Sequence, residues 1–363
     1  MAARLAFTLT RPGPIRFSLK TRNGVNIVSG EAIFPTASAP TNVGAFGVSP
    51  NFRTPYVQNY NLNITQQLSS KAVLQVGYVG SKGTKLSLLR SINPVVAGRR
   101  LLADQYPTLG AINILESIAN SNYNSLQTQL RMTRWKNFSA TLNYTLGKAL
   151  DNGSNVRNSI AANSFNLRRE YGPSNFDIRQ TFTGFVTYDV PSFGSKFPRL
   201  TKGWQLNALM TAHTGEPLDL LSGTNRSGTL DNRDRVDVLS DAFSGVASRA
   251  TPFGPVPYFN GKAFATAAAG TWGNIGRDSI YGPGFGAVDF SSFKDTAITE
   301  RFKIQLRAEI FNILDRANFA NPGTNFNAAS SFGVITNTRN GSSAPGIGFG
   351  EPRNMQLALK LIW

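Results

Sequence analysis

The strongest constraint in this chain is a side-chain pattern that repeats every second residue. Between Asn124 and Met132, Leu126, Thr128, Leu130 and Met132 share one face, while Gln127, Gln129 and Arg131 share the other. Phe138, Ala140, Leu142, Tyr144 and Leu146 oppose Ser139, Thr141, Asn143 and Thr145. Trp204, Leu206, Ala208, Met210 and Ala212 oppose Gln205, Asn207, Leu209, Thr211 and His213. Phe302, Ile304, Leu306, Ala308 and Ile310 oppose Arg301, Lys303, Gln305, Arg307 and Glu309. The last residues alternate too: Met355, Leu357, Leu359, Leu361 and Trp363 against Gln356, Ala358, Lys360 and Ile362. This describes extended strands with one apolar and one wet face. Segments 56–68, 71–80 and 177–190 follow the pattern less cleanly. Helical periodicity is weak, and its best stretch, Ala111–Ala119, is short.

The connections discriminate further. Ser69-Ser70, Arg134–Asn137, Ala297–Glu300 and the moderate Pro191–Gly203 are brief. Between them lie long Gly-, Asn- and Pro-rich stretches at about 91–122, 151–176, 222–285 and 315–352. Short and long alternate strictly from residue 56 onward. A soluble β-sandwich also has apolar and wet faces, but structureless loops beyond about 15 residues count against one. A transmembrane barrel has short periplasmic turns and long extracellular loops. The aromatic residues fit the barrel: Trp135 lies in a short turn, Trp204 and Phe302 follow two others, Tyr188 precedes Pro191, and Trp363 ends the chain. Together Trp135, Tyr188, Trp204 and Phe302 are expected to form a periplasmic aromatic girdle. On the same reading Arg131, Arg301, Lys303, Arg307, Glu309 and Lys360 face the lumen. Counting back from Trp363 gives nine strands, the first at 56–68. A hairpin around Arg11-Pro12-Gly13 and a strand near Val25–Phe34 raise the total to about eleven or twelve.

Composition removes several chemistries. Cysteine is absent and His213 is the single histidine among 363 residues, so Cys/His metal centres and cysteine nucleophiles are excluded. No cofactor is expected. A hydrolase would have to use His213, which lies on the wet face of its strand and reads as a lumen-facing polar residue. The Gly282–Gly286 stretch lacks the strand-then-helix context of a phosphate loop. The formal charge of +17 first suggests nucleic acid. However, the cations are dispersed over loops (Arg99, Arg100, Arg168, Arg169, Arg226, Arg233, Arg235) and wet strand faces, so no nucleic-acid partner is expected. Loop cations are expected to meet lipopolysaccharide, and lumen cations to favour an anionic solute.

The order of several segments resembles the C-terminal barrel of Oar-like TonB-dependent transporters. These are Tyr123–Gln127, Tyr144–Asp151, Gly172–Arg179, Gly203–Leu206, Thr214–Pro217, Arg307–Asn312 and Asn318–Pro322. The tail Arg353–Trp363 resembles the barrel-assembly signal of outer-membrane proteins, with Leu357, Leu359, Leu361 and Trp363 as its apolar positions. The resemblance implies an outer-membrane receptor for energy-coupled uptake of a large solute, not an enzyme. It also implies a 22-stranded barrel, outer-membrane lipid and lipopolysaccharide as surroundings, the barrel-assembly machinery, and a TonB-type energy-coupling protein acting on the full-length protein.

Residues 1–7 begin apolar, but Thr8, Thr10, Arg11 and Pro12 end the run, and no signal-peptide core follows. No plug is recognisable. The expectation is therefore an all-β, antiparallel, partial transmembrane barrel: a fragment with residues 1–50 as an N-terminal remnant and 51–363 as the C-terminal part of the barrel. The alternatives are a complete porin-like channel and a soluble β-rich binding or adhesion module.

Overall fold

A computed structural model describes residues 43–154, 160–193, 197–246, 255–339 and 352–363. Ten strands organise it. They are β1 (Val43–Val48), β2 (Tyr56–Ser69), β3 (Ala72–Ser91), β4 (Leu109–Trp135) and β5 (Phe138–Asp151), then β6 (Gln180–Asp189), β7 (Trp204–His213), β8 (Phe285–Ala297), β9 (Lys303–Phe311) and β10 (Asn354–Ile362). β2 to β10 form one meander in which every strand pairs antiparallel with its sequence neighbours. β1 adds to β4 in parallel, and Gly172–Pro173 adds to the end of β5.

The nine meander strands are those the alternation predicts. The two extra members of the sheet are different from the expected N-terminal ones: the hairpin around Arg11-Pro12-Gly13 and the strand near Val25–Phe34 lie outside the described residues. Ala111–Ala119 is strand, not helix. Its Ile112, Ile114 and Ile118 are β-branched and favour extended backbone. The segment is paired on both sides, with β3 from Asn113 to Ala119 and with β1 from Leu109 to Leu115. β4 is consequently far longer than the periodicity implies, and it carries the sheet well past the row where β5 ends. The strand that opens at Trp204 stops at His213, and beyond it Pro217 and Leu218 turn to pair with Ile280 and Tyr281.

Register fixes the faces, since residues directly opposite across a ladder point to the same side. One row runs Met132, Ala140, Val186, Ala208, Phe290, Ile310 and Met355 through seven strands. The adjacent row is Arg131, Thr141, Phe185, Leu209, Asp289. Rows of the first kind stay largely apolar across the sheet, yet many of their side chains are exposed: Leu62 is 65% exposed, Met355 71%, Leu357 80% and Trp363 85%. A water-soluble domain does not leave such a continuous apolar surface uncovered.

The buried apolar core lies elsewhere. It is made by the long connections, from Leu218, Leu220, Val236, Phe259, Phe264, Ile275 and Phe332. Phe332 stacks edge-on with Phe259 and Phe326, ring centres 5.1 and 5.0 Å apart. Thus the described parts of the 214–284 and 312–339 connections fold on each other as a small cored unit at one end of the strands.

No described strand covers the outer edge of β2 or of β10. Among the described residues the sheet does not close on itself.

Candidate functional site

Two surfaces carry the chemistry. The first is the wet face of the sheet. Polar side chains bridge neighbouring strands across it: Gln129 donates to Asn143 Oδ1 at 2.8 Å, and Asn143 donates to Thr183 Oγ1 at 3.3 Å. Thr187 donates to Asn207 Oδ1 at 3.0 Å, and Gln305 to Asp295 Oδ1 at 2.8 Å. Short polar residues spaced two apart hold such ladders without desolvating charge. Arg131 lies in this face beside Gln129. Lys303, Arg307 and Glu309 alternate along β9 on the same side, and Lys360 stands opposite Gln305. Arg301 lies just outside β9, in the short turn. Arg307 and Glu309 are not an ion pair. Arg307 donates to Gln305 Oε1 at 2.5 Å and lies over the Phe293 ring at 4.7 Å, while Glu309 is opposite Ser291 and Gln356. Leu209, Phe185 and Phe293 also share this face, so it is mixed, with aromatic patches between polar ladders.

All four aromatic residues singled out from the sequence sit at the short-turn ends. Trp135 closes β4, Tyr188 is the penultimate residue of β6, Trp204 opens β7 and Phe302 precedes β9. Leu357, Leu359 and Leu361 lie on the apolar face of β10, opposite Ala308, Leu306 and Ile304.

The second surface is a cavity of about 210 Å³ at the long-loop end, between the 152–179 and 214–284 connections. Arg235 is its centre. It donates to Glu170 Oε2 at 2.9 Å and to Asp219 Oδ1 at 2.8 Å, and both Arg235 and Glu170 are buried. Burial opposes the Arg235 charge, but Asp219 and Glu170 outweigh it and raise the pKa above the ordinary arginine value. Arg277, also buried, is ion-paired with Asp151 at the end of β5 and donates to the carbonyl oxygen of Pro173 at 3.0 Å. Asp278 adjoins it, with positive φ of 52°. Burial, then the Asp219 charge, pushes the Asp278 carboxyl up to about 7. Asp177 accepts from the Ala149 amide at 2.7 Å and from the Tyr281 hydroxyl at 2.9 Å. The ion pairs therefore fasten two long connections to the end of β5.

Sequence reasoning treats Arg235 as one of many loop cations available to lipopolysaccharide. The structure corrects this: Arg235 is buried and neutralised. No local signal marks the network, because Asp151, Glu170, Asp219, Arg235 and Arg277 are spread over more than a hundred residues. His213 is on the wet face as expected. Its Nδ1 donates to the Thr214 carbonyl oxygen at 2.8 Å and its ring stacks on Phe285 at 5.3 Å. The Gly282–Gly286 stretch serves close backbone approach: a Cβ on Gly215 would lie 1.8 Å from the Gly282 oxygen. Among the described residues, no group of three or more His, Asp or Glu could hold a metal ion.

A nine-stranded antiparallel meander, apolar and bare on one face and polar on the other, with short turns at one end and folded loops at the other, is the wall of a membrane-spanning barrel. Comparison with protein families agrees: the model of the outer membrane beta barrel domain matches residues 4–356, and the chain belongs to that family. It is accordingly an outer-membrane protein. A comparison with curated protein sequences gives no match. Among solved structures, the chain is similar to the outer membrane transporter YddB from Escherichia coli, at 10% identity and a TM-score of 0.48, covering 90% of this chain and 34% of that one. It is similar to the pyoverdine outer membrane receptor FpvA from Pseudomonas aeruginosa PAO1, at 9% identity and 0.42, covering 85% and 30%. The FrpB iron transporter from Neisseria meningitidis gives 10%, 0.42, 88% and 33%. The chain thus spans about a third of the length of these structures.

Proposed function

We propose that this chain is part of the wall of a larger outer-membrane barrel that takes up a large solute by energy-coupled transport, as a receptor of the Oar-like, TonB-dependent kind. On this reading it is not an enzyme. Its short turns face the periplasm and its cored loops face outward, where they receive the solute. Arg131, Arg301, Lys303, Arg307, Glu309 and Lys360 line the lumen, and Trp135, Tyr188, Trp204 and Phe302 form the periplasmic girdle. The β10 leucines with Trp363 serve recognition by the barrel-assembly machinery, and residues 51–363 act as the barrel unit, to which β1 from the 1–50 remnant adds in parallel on β4.

One observation carries the reading of a larger barrel. In a nine-strand antiparallel meander, the first and last strands run the same way, so β2 and β10 both descend from the long-loop side to the short-turn side. They cannot close antiparallel on each other. Closure with antiparallel pairing needs an odd number of further strands between them, and an open edge is not tolerated in lipid.

The distinguishing experiment measures solute uptake by cells carrying the complete barrel, with and without the TonB-type protein and with the proton gradient collapsed. Uptake is expected to stop in both cases. Undiminished uptake would instead establish the porin-like passive channel.

A further inference from the structure

The turn between β6 and β7 has chemistry that the uptake reading does not use. It is the longest of the four short turns and ends in a single helical turn, Pro198–Thr201. The sequence between Val190 and Gly203 contains no acidic residue. Arg199 and Lys202 flank Leu200 along the chain, and the apolar side chains of Phe193, Phe197 and Leu200 are each about two-thirds exposed to solvent (64–67%). The turn is fastened to the sheet. The Trp204 indole donates to the Leu200 carbonyl oxygen at 2.7 Å, and the Asp295 amide donates to the Gly203 carbonyl oxygen at 2.8 Å. Gly203 has φ of 78°, and a Cβ there would lie 2.4 Å from the Asp295 oxygen, so only glycine lets the turn pass this close to β8.

Directly above the turn, a cation lies on the apolar face. By register Lys294 lies opposite Trp204 and Leu306, on the side of the sheet that meets lipid. Its ammonium bends toward the short-turn end, donating to the Asp295 carbonyl oxygen at 2.9 Å and to Thr296 Oγ1 at 3.0 Å, and lies 5.9 Å from the Trp204 ring centre. Lys294 is itself buried (5% exposed), so its charge is held at the short-turn end by these protein partners. Next to it a groove of about 380 Å³ runs over Ser292 and Ala308, between Trp204 and the side chains of Leu306, Leu357 and Leu359. Small residues flanked by large ones make a trough for an alkyl chain. Two other short turns carry the same charge, with Lys71 in one and Arg134 and Lys136 in another.

We propose that the Phe197–Gly203 end of the β6–β7 turn, with the Trp204–Lys294 groove above it, is a binding site for an anionic phospholipid of the inner leaflet. The phosphate lies on Arg199 and Lys202, one acyl chain lies in the groove, and Phe193, Phe197 and Leu200 enter the interface. The occupant follows from charge complementarity and from continuity with the lipid-facing sheet. The proposal rests on the reading that the short turns face the periplasm.

The test uses the complete barrel in nanodiscs, with every other tryptophan, Trp135, Trp272 and Trp363 included, replaced by Phe so that Trp204 is the sole fluorophore. Brominated phosphatidylglycerol in a phosphatidylethanolamine background is compared with the converse labelling at equal mole fraction. Trp204 quenching is expected to favour phosphatidylglycerol by roughly five-fold per cation. The preference should vanish in Arg199→Gln/Lys202→Gln, persist in Arg199→Lys/Lys202→Arg, and be untouched by Arg99→Gln at the far end. Equal quenching by both lipids, or loss in the Arg99 variant, overturns the site, as does preference for lipid A over phosphatidylglycerol. Strand content by circular dichroism confirms folding of every variant. Orientation is read separately, from protease access to an epitope in this turn on intact cells: access from outside defeats the periplasmic reading whatever the lipid preference.

Discussion

Arg235 shows how one residue's role depends on distant neighbours. Its two carboxylate partners come from positions 170 and 219, and both contacts are charge-assisted. Removing Arg235 leaves Glu170 buried without its counter-ion. Arg235→Ala is therefore expected to destabilise the loop unit by about 3–5 kcal/mol. Rapid proteolysis between 214 and 284 with strand content unchanged would report it; unchanged protection would show the network to be dispensable. Asp278 gives the pH dependence. Its folded carboxyl, raised from the ordinary 3.8 to about 7, holds its proton more tightly than the unfolded chain does. The stability this adds is complete below about pH 3.8 and is lost as pH rises through about 7. Hydrogen exchange in the loop unit is expected to accelerate between pH 5 and 8 in the parent protein. In Asp278→Asn, neutral throughout, it should stay flat apart from the intrinsic rate.

At the scale of a strand, the two faces of β4 make opposite demands. Leu130 lies in an apolar row with Leu142 and Gly184, while Gln129 is in the polar ladder with Asn143. Leu130→Arg is expected to cost about 2–4 kcal/mol, the penalty for a cation on the lipid face near mid-depth, and Gln129→Arg close to none. Denaturant titration in detergent or bilayer distinguishes them. Equal costs would mean that the bare apolar face is not in lipid. Strand positions were largely legible from alternation, because a two-residue repeat is written locally. The ends of strands were not. Ala111–Ala119 reads weakly helical in isolation, yet it is strand because β1 and β3 supply its hydrogen-bond partners on both sides. The end of β7 at His213 likewise depends on Ile280 and Tyr281, some seventy residues away.

For the whole molecule, parity is the governing fact. Nine strands leave β2 and β10 running the same way, each with a free edge among the described residues. Because the chain contains no cysteine, single cysteines introduced at Leu62 and Leu359 report those edges cleanly. In a closed barrel with an odd number of intervening strands, the two are expected not to form a disulfide under oxidation. A rapid disulfide between them within one chain would mean that β2 and β10 meet directly, and the larger barrel would be wrong. The sequence by itself determined that the chain is a series of two-faced strands joined by alternating short and long connections, because polarity in alternate residues and the spacing of turns are local properties. It also placed the aromatic residues at the short turns. Only the tertiary structure decided that the buried core lies in the loops, that Arg235 is neutralised rather than exposed, and that Lys294 sits on the apolar face bent toward the rim. The physical reason is the same in each case. These depend on which distant segments share a row or a cavity, and cross-strand register and loop packing bring together residues whose spacing along the chain has no period to read.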